Sequence, residues 1–109
     1  MRVVRPTDIR EFKRVIEDAR KSNLLVYISA YPCPECEIFE SSLEELGIGS
    51  SDRIVKVDVP AEDWAVEYVV NELGIPGAPV VILPDGKVLD DFDPVELALK
   101  VKSIVEKAV

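Results

Sequence analysis

The run Leu24-Leu25-Val26-Tyr27-Ile28-Ser29-Ala30 limits what this chain can fold into more than any other segment. It is short for a helix, and it lacks the polar alternation of a strand with one wet face. A nearly continuous apolar run of this length suits a strand buried on both sides, in a sheet covered by helices on both faces. Tyr31-Pro32-Cys33-Pro34-Glu35-Cys36 follows at once. Pro34 is well placed to open a helix, because the first helical N–H has no partner to lose. That helix should carry Ile38, Phe39, Leu43 and Leu46 inward and end near Gly47.

The rest of the chain supplies the remaining layers. Val3 and Val4 read as a short edge strand before Pro6. Ile9, Phe12, Val15, Ile16 and Ala19 share one helical face, and Asp8 with Glu11 reads as a capping box, so a first helix is expected over about Thr7 to Lys21. Arg53 to Val59 is a strand with Val55, Val57 and Val59 on one face. Pro60 and Ala61 should open a third helix with the stripe Val66, Val69, Val70 and Leu73, ended by Gly74. Pro79 to Leu83 is a strand, Asp85-Gly86 a hairpin turn, and Lys87 to Asp91 the return strand. Asp93, Pro94 and Glu96 start a last helix that buries Leu97, Val101, Ile104 and Val105. The order is (β)αβαβαββα. The βαβ unit predicts parallel strands, and the final hairpin predicts an antiparallel pair. The expectation is an α/β fold in one domain spanning residues 1–109, with a mixed central sheet and helices on both faces.

Composition narrows the function. The formal net charge of −8 argues against nucleic acid and against anionic membranes as partners. No apolar run approaches the roughly 20 residues of a membrane span, and Met1 to Asp8 shows no secretory pattern. A soluble, cytoplasmic protein is expected, a monomer by default. The chain has no histidine. That excludes Ser-His-Asp and Cys-His catalysis and every His-ligated metal site. Most of the acidic surplus reads as solvated surface. Glu35, Glu37, Glu40, Glu44 and Glu45 are expected mostly on the exposed face of the second helix, opposite Ile38, Phe39 and Leu43.

The two cysteines are the one chemical constellation. Three residues apart at a helix start, they can close a small disulfide ring. The helix N-terminus favours a thiolate through its free N–H groups and its dipole. Cys33, at the loop–helix junction, should be the exposed nucleophile that attacks a substrate disulfide. Cys36, in the first turn and facing inward, should resolve the mixed disulfide. Accidental spacing, inert buried cysteines and half of a zinc site shared by two copies are the alternatives. A second signal is Gly74-Ile75-Pro76-Gly77-Ala78-Pro79 before an apolar strand. Residue physics alone leaves the Ala78–Pro79 bond trans, since only about 5–6% of X–Pro bonds in folded proteins are cis.

Taken together, Cys33-Pro34-Glu35-Cys36, the segment ending at Pro79, Asp85-Gly86 and the order of elements resemble the thioredoxin superfamily, from about Thr7 to Val109. The resemblance implies a thioredoxin-like fold and a thiol–disulfide oxidoreductase acting on protein disulfides, with no metal or organic cofactor. A separate reductase would supply its electrons. Pro79 would match the family's cis-proline, and Ala78 would offer backbone hydrogen bonds to a substrate strand. Tyr31, Pro32, Ile75, Pro76 and Gly77 would rim Cys33, with Pro34 and Glu35 also at the substrate surface. There are departures. Thioredoxins usually read Trp-Cys-Gly-Pro-Cys, and usually carry a buried Asp where Tyr27 stands. Glutaredoxins share a proline after the first cysteine but carry a Gly-Gly glutathione segment, where this chain reads Asp90-Asp91-Phe92-Asp93. A glutathione-dependent enzyme and a non-catalytic binding module are therefore the rivals, and a donor of oxidising equivalents a third. Glu35, with Glu37 and Glu40 nearby, opposes thiolate formation and so favours a reducing couple.

Overall fold

The apolar run forms the centre of the sheet. In the computed structural model, which describes residues 1–60, 62–75, 77–90 and 93–107, the elements follow in the order β1 (Arg2–Val4), α1 (Ile9–Lys21), β2 (Leu25–Ala30), α2 (Pro34–Glu45), β3 (Ile54–Val59), α3 (Asp63–Glu67), β4 (Val80–Ile82), β5 (Val88–Leu89) and α4 (Pro94–Lys107). A π-helical turn, Tyr68–Glu72, continues α3. The sheet order is β1-β3-β2-β4-β5. Strand β3 runs parallel to β1 and β2, whereas β4 is antiparallel to both β2 and β5. Among the described residues, no helix is long and apolar enough to cross a membrane.

Alternation along β2 builds two cores. Val26 and Ile28 join Val55, Val57, Val80 and Ile82 beneath α1 and α3. Leu25 and Tyr27 join Ile54, Val81 and Leu89 beneath α2 and α4. Each fully buried aliphatic or Phe side chain contributes about 1.5–3 kcal/mol of hydrophobic stabilisation. A strand with both faces dry therefore has to be apolar throughout, as this one nearly is.

The helix starts are set by side-chain caps. Asp8 accepts the Glu11 N–H at 2.8 Å. Glu11 does not complete a capping box; its carboxylate accepts the Thr7 hydroxyl at 2.9 Å, and α1 begins at Ile9. Asp93 accepts the N–H groups of Val95 and Glu96, each at 2.9 Å. Gly47 and Gly74, each following a helical segment, have φ of 80° and 67°. Both are in the left-handed region that glycine enters at no steric cost.

Three expectations need correction. The inward stripe of the third helix is Ala65, Tyr68 and Val69, while Val66 and Val70 lie exposed. Phe12 draws Trp64 and Tyr68 into edge-on contacts, with centroids 6.3 and 5.2 Å apart, and these larger rings fix the rotation of the helix. The π-helical turn then spaces Leu73 five residues from Tyr68, whose carbonyl accepts its N–H. Ile38 of α2 is exposed, because Cys36, Phe39 and Leu43 already occupy the buried face. The β4–β5 loop has three residues, Pro84-Asp85-Gly86, closed by Leu83 and Lys87, with Gly86 at φ 91°. This is a turn followed by a left-handed glycine, a common three-residue hairpin. Ala61 and Asp91, named above at element ends, lie outside the described residues.

Candidate functional site

Parallel strands β2 and β3 end side by side, and the loop leaving β2 carries the cysteines. Ligand sites of α/β folds gather at such carboxyl ends. Cys33 has an extended backbone and acts as the N-cap of α2, with Pro34 as the first helical residue. Cys33 and Cys36 are joined by a disulfide, their Cα atoms 5.2 Å apart. The Cys36 N–H donates to the Cys33 sulfur at 3.1 Å. A sulfur thus occupies the position where a cap oxygen normally sits, receiving an N–H at the positive end of a helix. Cys33 is half-buried, whereas Cys36 is only 2% exposed.

The segment before β4 approaches from the other side. The Ala78–Pro79 peptide is cis, and so is Tyr31–Pro32, which nothing in the sequence singled out. The Cys33 sulfur lies 3.7 Å from the Ala78 carbonyl oxygen. In the disulfide this is a contact; a thiol there has an acceptor for its proton. Tyr31, Pro32, Pro34, Glu35 and Gly77 are exposed around this junction, and Ala78 and Pro79 are half-buried. Ile75 is a correction. Expected on the rim, it is wholly buried beneath α1 and α3, its N–H held by the Val69 carbonyl at 3.0 Å. Its large apolar side chain is drawn into that core. Pro76 lies outside the described residues.

Two clefts flank the disulfide. One, of ≈ 370 Å³, runs between Gly77-Ala78-Pro79 and the carboxylates of Glu35, Asp90 and Asp93, with no cation among the described residues that line it. The other, of ≈ 440 Å³, is lined by both cysteines and by Ser29, Glu40, Lys56 and Asp58. The polar groups of the second cleft form a network. Tyr27 donates its hydroxyl to Glu40 Oε2 at 3.1 Å and lies 3.5 Å from the Cys36 carbonyl oxygen. Lys56 Nζ donates to Glu40 Oε1 at 2.7 Å. Ser29 Oγ donates to Asp58 at 2.9 Å, and Arg5 pairs with Asp58 at 3.3 Å. Burial, and then the Glu40 carboxylate, pushes the Tyr27 phenol far above its ordinary range, so it stays a donor.

Glu40 was expected on the exposed face of α2 and is instead half-buried in this network. The signal in the sequence was its position four residues after the inward Cys36, which puts both on one side of the helix. Lys56 and Asp58, alternating with valines in β3, were the matching signal on the sheet. Among the described residues, no three of His, Cys, Asp and Glu converge as metal ligands.

No protein-family model and no curated protein sequence matches the chain. Solved structures do. Oxidised thioredoxin O1 from Arabidopsis thaliana aligns with a TM-score of 0.66 at 18% identity, over 98% of this chain and 97% of that one. The oxidised C-terminal domain of DsbD from Neisseria meningitidis gives 0.62 at 18% identity, over 95% and 98%. Oxidised glutaredoxin 2 from Chlamydomonas reinhardtii gives 0.55 at 21% identity, over 88% and 90%. At these identities the likeness is one of fold, and the chain has the thioredoxin fold.

Proposed function

We propose that this thioredoxin-fold chain is a thiol–disulfide oxidoreductase that reduces protein disulfides. The observation that carries the reading is the Cys33–Cys36 disulfide at the N-terminus of α2, with one sulfur half-exposed and the other buried. In the reduced protein, the Cys33 thiolate attacks one sulfur of a substrate disulfide, and the other substrate sulfur leaves as a thiolate. Cys36 then attacks Cys33 in the mixed disulfide, releasing the second substrate thiol and closing the ring seen here. The Cys36 N–H and the helix dipole favour the attacking thiolate. The exposed residues Tyr31, Pro32, Pro34, Glu35 and Gly77, together with Ala78 and Pro79, form the substrate surface of this reading. A cytoplasmic reductase returns the electrons.

The direction of transfer follows from charge. Glu35 lies between the two cysteines in the first turn of α2, with Glu37 after it, and both are exposed. Their carboxylates oppose the dipole and weaken the thiolate. A less stabilised dithiol makes the couple more reducing. Glu35, Asp90 and Asp93 also repel the carboxylates of glutathione, which favours protein over glutathione substrates.

The test is the reduction potential of the Cys33–Cys36 couple, from equilibration in thiol/disulfide buffers with mass readout. The expected result is a reversible two-electron couple near that of thioredoxin, about −270 mV. A couple near that of strong oxidants, about −120 mV, overturns the reductant reading. The absence of any reversible couple overturns the enzyme itself.

A further inference from the structure

Acid gathers at the end of the sheet that holds the disulfide. Strands β2 and β3 are parallel, and two antiparallel steps make β5 run the same way as β2. The helices that follow these three strands therefore all start at the end where the cysteines lie. Those starts carry Glu35 and Glu37 of α2, Glu62 and Asp63 of α3, and Asp93 and Glu96 of α4. Arg5 and Arg10 flank the start of α1, which follows β1 at the opposite edge of the sheet from β5, and Arg5 is paired with Asp58. Lys56 is tied to Glu40.

The surroundings of Cys33 are two-sided. Two clefts meet at Gly77 and Ala78, and the Ala78 carbonyl oxygen lies 3.7 Å from the Cys33 sulfur. On the side of α3 the cleft, of ≈ 180 Å³, is apolar, walled by Val59, Val66 and Val70. Val66 and Val70 are exposed in it. Exposed apolar side chains that share one wall, beside a reactive sulfur, mark a surface that a partner covers. On the side of α4 lies the cleft of Glu35, Asp90 and Asp93. A polypeptide whose sulfur reaches Cys33 lies over Ala78, and so has an apolar wall on one flank and an anionic wall on the other.

We propose that Glu35, Asp90 and Asp93 select the substrate: a polypeptide disulfide whose cysteine has lysine or arginine on one flank and an apolar residue on the other. This rests on the oxidoreductase reading and names its substrate class. The basic side chain enters the cleft beside α4, and the apolar one enters the cleft beside α3. Lysine and arginine suit the first, since their apolar stems pack along Pro79 and Pro94 while the charged head reaches the carboxylates. Glutamate or aspartate at the same place meets like charge. Because the carboxylates are exposed, salt screens the effect.

The experiment uses the reduced full-length protein and synthetic peptides with one cysteine, held as a mixed disulfide with thionitrobenzoate. Each peptide has leucine on one side of the cysteine and lysine, serine or glutamate on the other, in both orders. Cys33 bonds to the peptide sulfur and thionitrobenzoate leaves as a coloured thiolate, so absorbance reads the rate. In the faster order, the wild type should prefer lysine over glutamate about tenfold at low salt, the attraction of one and the repulsion of the other combined. Salt near about 0.5 M should bring this below about threefold. Glu35→Gln with Asp90→Asn should bring it equally low without salt. Glu35→Gln also alters Cys33 itself, but alike toward every peptide, so the ratio isolates recognition. Asp90→Lys, away from the redox helix, changes the charge as much and should act the same way, an independent reading should the double variant fail to fold. Glu17→Gln with Glu45→Gln removes two exposed acids from the middle of α1 and the end of α2 and should keep the full preference. A preference that survives Asp90→Lys, or one that falls as far in the Glu17 and Glu45 variant, overturns the proposal. A wild-type protein that frees no peptide thiol and closes no internal disulfide with any of the series overturns the oxidoreductase reading instead.

Discussion

The main-chain N–H of Cys36 donates to the sulfur of Cys33 across 3.1 Å, so the two halves of the disulfide stand in different environments. Cys33 receives the N–H and faces the cleft mouth. Cys36 faces the core formed by Tyr27, Phe39 and Leu43.

This asymmetry predicts opposite behaviour of the two serine variants. Cys36→Ser keeps the attacking thiol but cannot resolve, so it should accumulate a one-to-one mixed disulfide with a disulfide-bonded model protein. Cys33→Ser leaves only the buried thiol and should react on the order of 100-fold more slowly, since attack requires an accessible thiolate. Intact-mass analysis after acid quenching checks both. Equal trapping by the two variants would show that burial does not set the roles.

Asp93 predicts a pH dependence of stability. The N–H of Glu96 above all, helped by the Glu96 side chain and the Val95 N–H, holds its carboxyl below the ordinary carboxylate range, against the loss of hydration, which is second in size and acts the other way. A lowered folded-state pKa gives stability that is present above the unfolded value, near about pH 4, and is lost as the pH falls through the folded value. Glu96 works in the opposite sense. Its hydrogen bond to Asp93 and Asp93's charge push its carboxyl up, so ionisation of both offsets part of the gain. Asp93→Ala should therefore lower the urea midpoint at neutral pH, and the gap to wild type should close as the solution is acidified. A gap that is constant from neutrality to strong acid would exclude the capping carboxylate as its source.

Phe39 predicts how closely the redox helix is tied to the sheet. It is fully buried, with its ring 4.7 Å from that of Tyr27. Phe39→Ala should cost about 3–5 kcal/mol, a large share of the roughly 5–15 kcal/mol that stabilises a domain of ordinary size. Denaturant titration with an unchanged slope measures it. A loss under about 1 kcal/mol would mean that α2 is held mainly by its other contacts.

Much of this architecture was legible because its signals are local. The run from Leu24 to Ala30 has one reasonable home, and caps such as Asp8 and Asp93 mark helix starts within a residue or two. The cysteine pair announced its chemistry by spacing and by its place after a buried strand. What was illegible depended on partners distant in sequence. Val66 and Val70 have the right period for a buried stripe, but Phe12, more than fifty residues earlier, pulls Trp64 and Tyr68 inward instead. Ile75 has the character of either a rim or a core residue, and only the folded neighbourhood of Val69 decides between them. Glu40 looked like one more acid on a solvated helix. Its half-buried position is set by Lys56 and Tyr27, which no reading of α2 alone can supply.

Pro34 and Glu35 lie exposed between the two sulfurs and belong to neither core. Their exchange would alter the charge and backbone beside the disulfide while leaving both packed layers intact. The chain therefore separates a packed framework from a two-residue setting that substitution can revise. A panel of such dipeptides on this one scaffold would vary the charge beside the disulfide and the surface around it while leaving both cores unchanged.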